Sequence, residues 1–174
     1  MKTFAYLVRR FFSFGADWYI TGMLINLFTN LITMIPMFKD SVYACLIILS
    51  FVIPFIYYVI VPYKMNGQTL MNRAMAVRIV KDDGSQLKIS DLFIRYFVGC
   101  LILEGAFFIP SVNIRTILII TVFKKASFTS LITTIINVIS LISVSSVIFD
   151  LKKFKFLHDR ISNTIMIDSA KVPN

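Results

Sequence analysis

The sequence predicts an all-α fold: a polytopic transmembrane bundle of about four helical spans, with a small cytoplasmic hairpin or amphipathic segment between spans two and three. Three observations carry this reading. The 174 residues are 57% hydrophobic with a mean hydropathy of +0.80, whereas a soluble domain lies nearer roughly 45–50% apolar. The apolar residues fall in long runs rather than being spread through the chain. Short basic connections separate those runs, and the 17 Phe and 7 Tyr suit side chains that cover hydrocarbon and anchor at headgroups.

The first span reads from 11 to 37, with Pro36 at its end. Arg9-Arg10-Phe11-Phe12 has a faint look of a twin-arginine signal, but the run behind it is long, contains Asp17 and lacks a small-residue cleavage site, so it reads as a retained helix. The second span reads from 42 to 63 with Pro54 inside it, where neighbouring helices can re-satisfy the backbone. The third reads from 91 to 109, with Ser90 as its N-cap and Pro110 as its stop. The fourth reads from 128 to 149. Each can cross a hydrocarbon core of ~30 Å at about 1.5 Å per residue. The run 117–123 is too short to span and reads as a re-entrant or interfacial piece, or a tail of the third helix. The length suits one bundle, so 1–174 reads as a single membrane domain.

Between spans two and three, the cytoplasmic loop 64–90 has structure of its own. Val77 to Lys81 alternates, Asp82-Asp83-Gly84 supplies a turn, and Gln86 to Ile89 alternates again, which together predict a β-hairpin. Thr69 to Ala76 predicts a short interfacial helix. The tail, 150–174, follows the fourth span. Fourteen of the 18 Lys and Arg fall in the N-terminus, this loop together with Arg95 just beyond it, and the tail, and four in the other two connections. The positive-inside rule then puts both termini in the cytoplasm of a multi-pass inner-membrane protein.

The net charge of +9 has the same explanation. Basic residues between apolar spans point to a lipid bilayer with anionic headgroups rather than to nucleic acid. Cys45 and Cys100 each sit inside an apolar run, and His158 is the one histidine, so no multi-His or Cys/His metal site is expected. No phosphate loop, nucleophile elbow or HExxH motif is present, the aqueous loops are short, and neither enzyme activity nor a cofactor is expected.

The informative residues are the polar ones inside the spans, because a charge at mid-bilayer costs a few kcal/mol and normally faces the bundle interior with a partner. Asp17 lies roughly 9 Å into the first span, and Arg10 is two turns earlier on the same face. A carboxylate there reads either as a proton or cation site in a bundle cavity or as half of a structural ion pair. Glu104, flanked by Gly99 and Gly105 in the third span, is a second candidate for proton or ion binding. In the fourth span Thr129, Ser130, Thr133, Asn137 and Ser140 form a stripe suited to interhelical hydrogen bonds or to lining a polar path.

Three stretches resemble the RDD family, named for an arginine and two aspartates. Arg10-Phe-Phe-Ser-Phe-Gly-Ala-Asp17 is similar to its first-helix pattern. Gly67-Gln68-Thr69-Leu70, then Arg73, then Val77-Arg78-Ile79-Val80 and Asp83-Gly84 resemble its cytoplasmic segment, with Met71-Asn72 where the family usually has Gly-Lys. Leu157-His158-Asp159-Arg160-Ile161 with Thr164 resembles its terminal motif. The resemblance makes Arg10, Asp17 and Asp159 the family residues of this chain. It implies a bacterial membrane protein connected with transport, some members being described as monovalent-cation/proton antiporters. A small secondary transporter using Asp17, working as a homo-oligomer, is one expectation. A non-transporting accessory or immunity protein bound to a membrane-protein partner is the other.

Overall fold

The computed structural model describes residues 2–36, 42–103, 126–149 and 155–169, and it is predominantly helical. Two compact units are present, Met1–Val80 with Met166–Asn174, and Lys81–Ile165.

In the first unit, α1 runs Lys2–Thr33 and begins well before the expected span, because no residue from 2 to 10 breaks a helix. Its packing is inverted relative to a soluble helix. Arg10, Ser13, Asp17, Thr21, Ile25 and Thr29 are buried at three- and four-residue spacing. Phe11, Phe12, Tyr19, Met23, Leu27 and Leu31 face outward. Water penalises such an arrangement and hydrocarbon favours it, since contiguous outward apolar surface is uncommon on soluble monomers. Thr21 and Thr29 donate their hydroxyl hydrogens to carbonyls one turn back, Asp17 O and Ile25 O, so neither is an unsatisfied donor inside the bundle.

Packed on α1 is a helix in three parts: α2 (Val42–Phe55), a π-helical turn Ile56–Ile60, and α3 (Val61–Lys64). The widened turn begins two residues after Pro54 and ends with the Val61 N–H on Ile56 O, a five-residue step. Proline removes one helical donor and crowds the preceding turn, and the wider turn is where the ladder recovers. Ser50, Ile53, Pro54 and Tyr57 make the buried face. Among the described residues, Ala44–Lys64 is the one helical stretch long and apolar enough to cross a membrane, with a mean hydropathy of 2.6. The fold therefore contains this span and a long α1 with an outward apolar face.

The expected short helix is present as α4 (Leu70–Ala74), with Thr69 as its N-cap. The expected hairpin is not. β1 (Val77–Lys81) forms as predicted, but its partner is β2 (Thr164–Asp168) from the tail. The Ser169 N–H meets Ala76 O at 2.9 Å and the Asp82 N–H meets Asn163 O at 3.1 Å, which sets an antiparallel register with Ile79 opposite Met166. Two local features turn the predicted second strand away. Asp83 Oδ1 accepts both the Ser85 N–H (2.9 Å) and the Ser85 hydroxyl (2.7 Å), and Gly84 takes φ +74°. Asp91 then accepts the Lys88 N–H at 2.9 Å, claiming the end of 86–89 as the start of a helix. The N-cap is thus Lys88 rather than the expected Ser90.

The second unit holds α5 (Ile89–Phe93), its π-helical continuation Ile94–Leu103, α6 (Ala126–Phe149) and α7 (Leu157–Ile161). On α6, among the described side chains, Ile136, Ser140 and Ser143 are buried. Of the predicted polar stripe, Ser140 is buried while Ser130 and Asn137 are exposed, so the inward face is rotated from the expected one. The segment 117–123, Pro110 and the last third of the predicted third span lie outside the described residues.

Candidate functional site

Asp17 is 2% exposed, held within α1 by its place on the buried stripe. Three donors from other parts of the chain converge on its carboxylate. The Tyr57 hydroxyl, on the π-turn behind Pro54, donates to Oδ1 at 2.5 Å. The Thr69 hydroxyl donates to Oδ2. The Met71 N–H, in the first turn of α4, donates to Oδ1 at 3.2 Å. All three are neutral, and among the described residues no cation forms an ion pair with Asp17.

The surroundings continue the polar cluster. Ser13 donates to Asn72 Oδ1 at 2.7 Å, and the Asn72 N–H caps onto Thr69 Oγ1 at 3.1 Å. The Tyr58 hydroxyl lies 3.1 Å from Thr21 Oγ1, and its ring stands edge-on to Tyr57 at 5.2 Å. An apolar bundle thus encloses one carboxylate and a set of hydroxyl oxygens that can donate or accept by rotating.

A glycine makes the approach of α4 possible. Gly67 sits at φ +83°, a region open mainly to glycine, and its carbonyl receives the Ile79 N–H at 2.8 Å. A Cβ there would overlap the Ile79 carbonyl oxygen and lie 3.0 Å from its carbon. Gln68 donates from Nε2 to Val77 O at 2.9 Å, fastening the loop to β1. Arg9 ties the same region to the tail, through Asp168 at 2.6 Å and Met75 O at 3.3 Å, and the Tyr6 hydroxyl donates to Met166 O at 2.6 Å.

The second unit contains a separate buried cluster. Asp159 is 0% exposed and pairs with Arg95, itself 6% exposed. Arg95 also donates to Thr164 Oγ1 at 2.6 Å, and that oxygen lies 2.7 Å from Ser162 Oγ. Asp159 Oδ2 accepts the Phe156 N–H at 2.9 Å, as an acidic residue in a first helical turn does. His158 Nε2 lies 3.6 Å from Asp159 Oδ1, and its ring stacks on Phe156 at 5.3 Å.

The two clusters are centred on the aspartates of the sequence motifs, and comparison with known families gives the same answer: the sequence model of the RDD family matches residues 4–163. The chain belongs to the RDD family. No curated protein and no solved structure matches it. With the apolar helix Ala44–Lys64, family membership identifies a membrane protein.

The RDD-family motif residues fall into distinct places. Arg10 and Asp17 share the buried stripe of α1, and Asp17 gathers Thr69 of the GQT segment. Gly67 and Gln68 position that segment, while Arg73 is exposed on α4 and Gly84 is exposed in the turn after β1. Asp159, His158 and Thr164 are buried together, and Arg160 is exposed. Glu104, the other predicted ion-binding residue, lies outside the described residues. Among the described residues no group of three His, Cys, Asp or Glu is placed to hold a metal.

Sequence reasoning missed Tyr57, Ser13, Asn72 and Arg95. Tyr57 reads as one more apolar residue in a span, although its place three residues past Pro54 on the same face carried a signal. Arg95 was counted with the loop charges. Its position four residues inside an apolar run implied a buried counterion, and within the unit that counterion is Asp159.

Proposed function

We propose that this RDD-family protein is a small secondary transporter that exchanges protons for a monovalent cation at Asp17, set in a cell-membrane bundle of four spans with both termini cytoplasmic. One observation carries the reading: the carboxylate is 2% exposed and held by three neutral donors, and among the described residues no cation is paired with it. As an anion it is unbalanced in a medium of low dielectric, and a proton or a monovalent cation balances it. Alternating between those two occupants is an exchange cycle. The hydroxyls of Tyr57 and Thr69 suit both states, because each oxygen can turn from donor to acceptor while staying in place. The fourteen-to-four distribution of basic residues supports the orientation. Because about four helices enclose little volume, the reading includes a homo-oligomer.

The test is proton flux in proteoliposomes holding the purified protein, with Na⁺, K⁺ or Li⁺ added and an Asp17→Asn variant reconstituted at equal abundance. Cation-dependent flux that disappears in Asp17→Asn supports exchange at this carboxylate. Folded protein with no flux above empty liposomes rejects it, and directs attention to a non-transporting accessory or immunity protein that acts through contacts in the bilayer.

A further inference from the structure

Six cations of the described residues are buried or half-buried: Arg9, Arg10, Arg78, Lys81, Arg95 and Lys155. Four have ion pairs, Arg9 with Asp168, Lys81 with Asp91, Arg95 with Asp159 and Lys155 with Asp82. Arg10 is engaged as well. Arg78 differs, since its Nε is buried without a hydrogen-bond partner and, among the described residues, no ion pair reaches it. A guanidinium cannot shed its charge, and a buried charged donor left without an acceptor costs free energy on the scale of a lost charged hydrogen bond.

The chain itself offers no spare carboxylate among the described residues. Asp17, Asp82, Asp83, Asp91, Asp159 and Asp168 are each taken by another partner. The register of the strand pair says where Arg78 stands. Val77, Ile79, Thr164 and Met166 are the buried positions, and Asp168 on the same face reaches Arg9 of α1. Arg78 belongs to the opposite face, where Val80 and Ile167 are its half-buried apolar neighbours. A planar fork of donors beside a small apolar floor, on the most basic loop of a membrane protein, has a recognisable complement.

We propose that Arg78 binds a phosphate group through its guanidinium fork, supplied by an anionic lipid headgroup or by free phosphate. A phosphate offers the paired oxygens the fork requires. A lipid would add a glycerol and acyl portion for Val80 and Ile167 to meet, at a leaflet where anionic lipid is concentrated. Exposed cations such as Arg73 remain hydrated and supply only diffuse attraction.

The experiment titrates delipidated protein in a neutral detergent, by calorimetry, with short-chain phosphatidylglycerol, short-chain phosphatidylcholine and inorganic phosphate separately. Saturable binding should weaken about 10- to 100-fold in Arg78→Gln, the loss expected for a charged hydrogen-bonded contact. It should stay within about twofold in Arg73→Gln, whose side chain is solvated. Tighter binding of phosphatidylglycerol than of inorganic phosphate assigns the site to lipid, and equal binding with mutual displacement assigns it to free phosphate. A second measurement uses the wild-type chain alone, so it survives a variant that fails to fold: phenylglyoxal labelling of Arg78, read by mass spectrometry, should be suppressed by the ligand that binds. Absence of saturable binding to all three, binding unchanged in Arg78→Gln, or labelling of Arg78 that no phosphate suppresses would each overturn the site.

Discussion

Gly99 lies directly against His158: a Cβ added at Gly99 would overlap the His158 Cβ and come within 2.8 Å of its Cα. The contact brings the buried end of the LHDR segment onto the widened helix Ile94–Leu103. Backbone cannot swing aside as a flexible side chain can, so the position accepts no side chain without a shift of one element. Gly99→Ala should lower stability by about 1–3 kcal/mol, the usual result of overpacking. Thermal denaturation in detergent checks this, and an unchanged midpoint would mean that the two elements are not held so closely.

The Arg95–Asp159 pair makes a sharper forecast. Removing the cation takes the paired guanidinium away from a carboxylate that is 0% exposed. Arg95→Ala should therefore cost about 3–5 kcal/mol, whereas Arg95→Met with Asp159→Leu should recover much of it, because a buried pair is often replaceable by apolar groups of similar size. Comparing the two unfolding midpoints tests the pairing; a double variant no better than the single one would count against it.

Around Asp17 the donors can be removed singly. Tyr57→Phe deletes one hydroxyl and little volume, and should cost about 1.5–3 kcal/mol as a hydrogen bond to a charged acceptor. A double-mutant cycle with Asp17→Asn gives the decisive number. Coupling near zero would show that the hydroxyl and the carboxylate act independently.

The turn after β1 is governed by acid rather than by packing. Both the hydroxyl and the N–H of Ser85 hold the Asp83 carboxyl below its ordinary range. A depressed carboxyl favours the folded turn above the unfolded value, and that preference is lost as pH falls through the folded one. Carboxyl NMR titration should give Asp83 a midpoint below that of an unperturbed aspartate, with Ser85→Ala moving it upward. No movement would detach the shift from Ser85.

What the sequence made legible was decided by locality. Apolar runs and a polar stripe at helical spacing are properties of single segments, so α1, the Ala44–Lys64 helix and α4 could be read off directly. Thr69 and Asp17 each stood out through their motifs, but that one donates to the other depends on Gly67 turning the chain back. The misplaced hairpin has the same origin. Alternation identifies a strand without naming its partner, and Thr164-Ile-Met-Ile-Asp168 alternates as well as 86–89 does. Arg95 was hidden because a charge near a span boundary can be assigned to water until a buried acid is found beside it.

Thr69 has one further consequence. Its oxygen takes the Asn72 N–H, so its single hydrogen is left for Asp17, and the same hydroxyl serves as the N-cap of a five-residue helix. A helix that short has little stability of its own and leans on its cap. Anything that alters the carboxylate's demand for that hydrogen is therefore felt at once as a tightening or fraying of α4. The buried acid thereby carries its own reporter, and the order of the loop between the second and third predicted spans becomes a readable signal of the state of the Asp17 carboxylate.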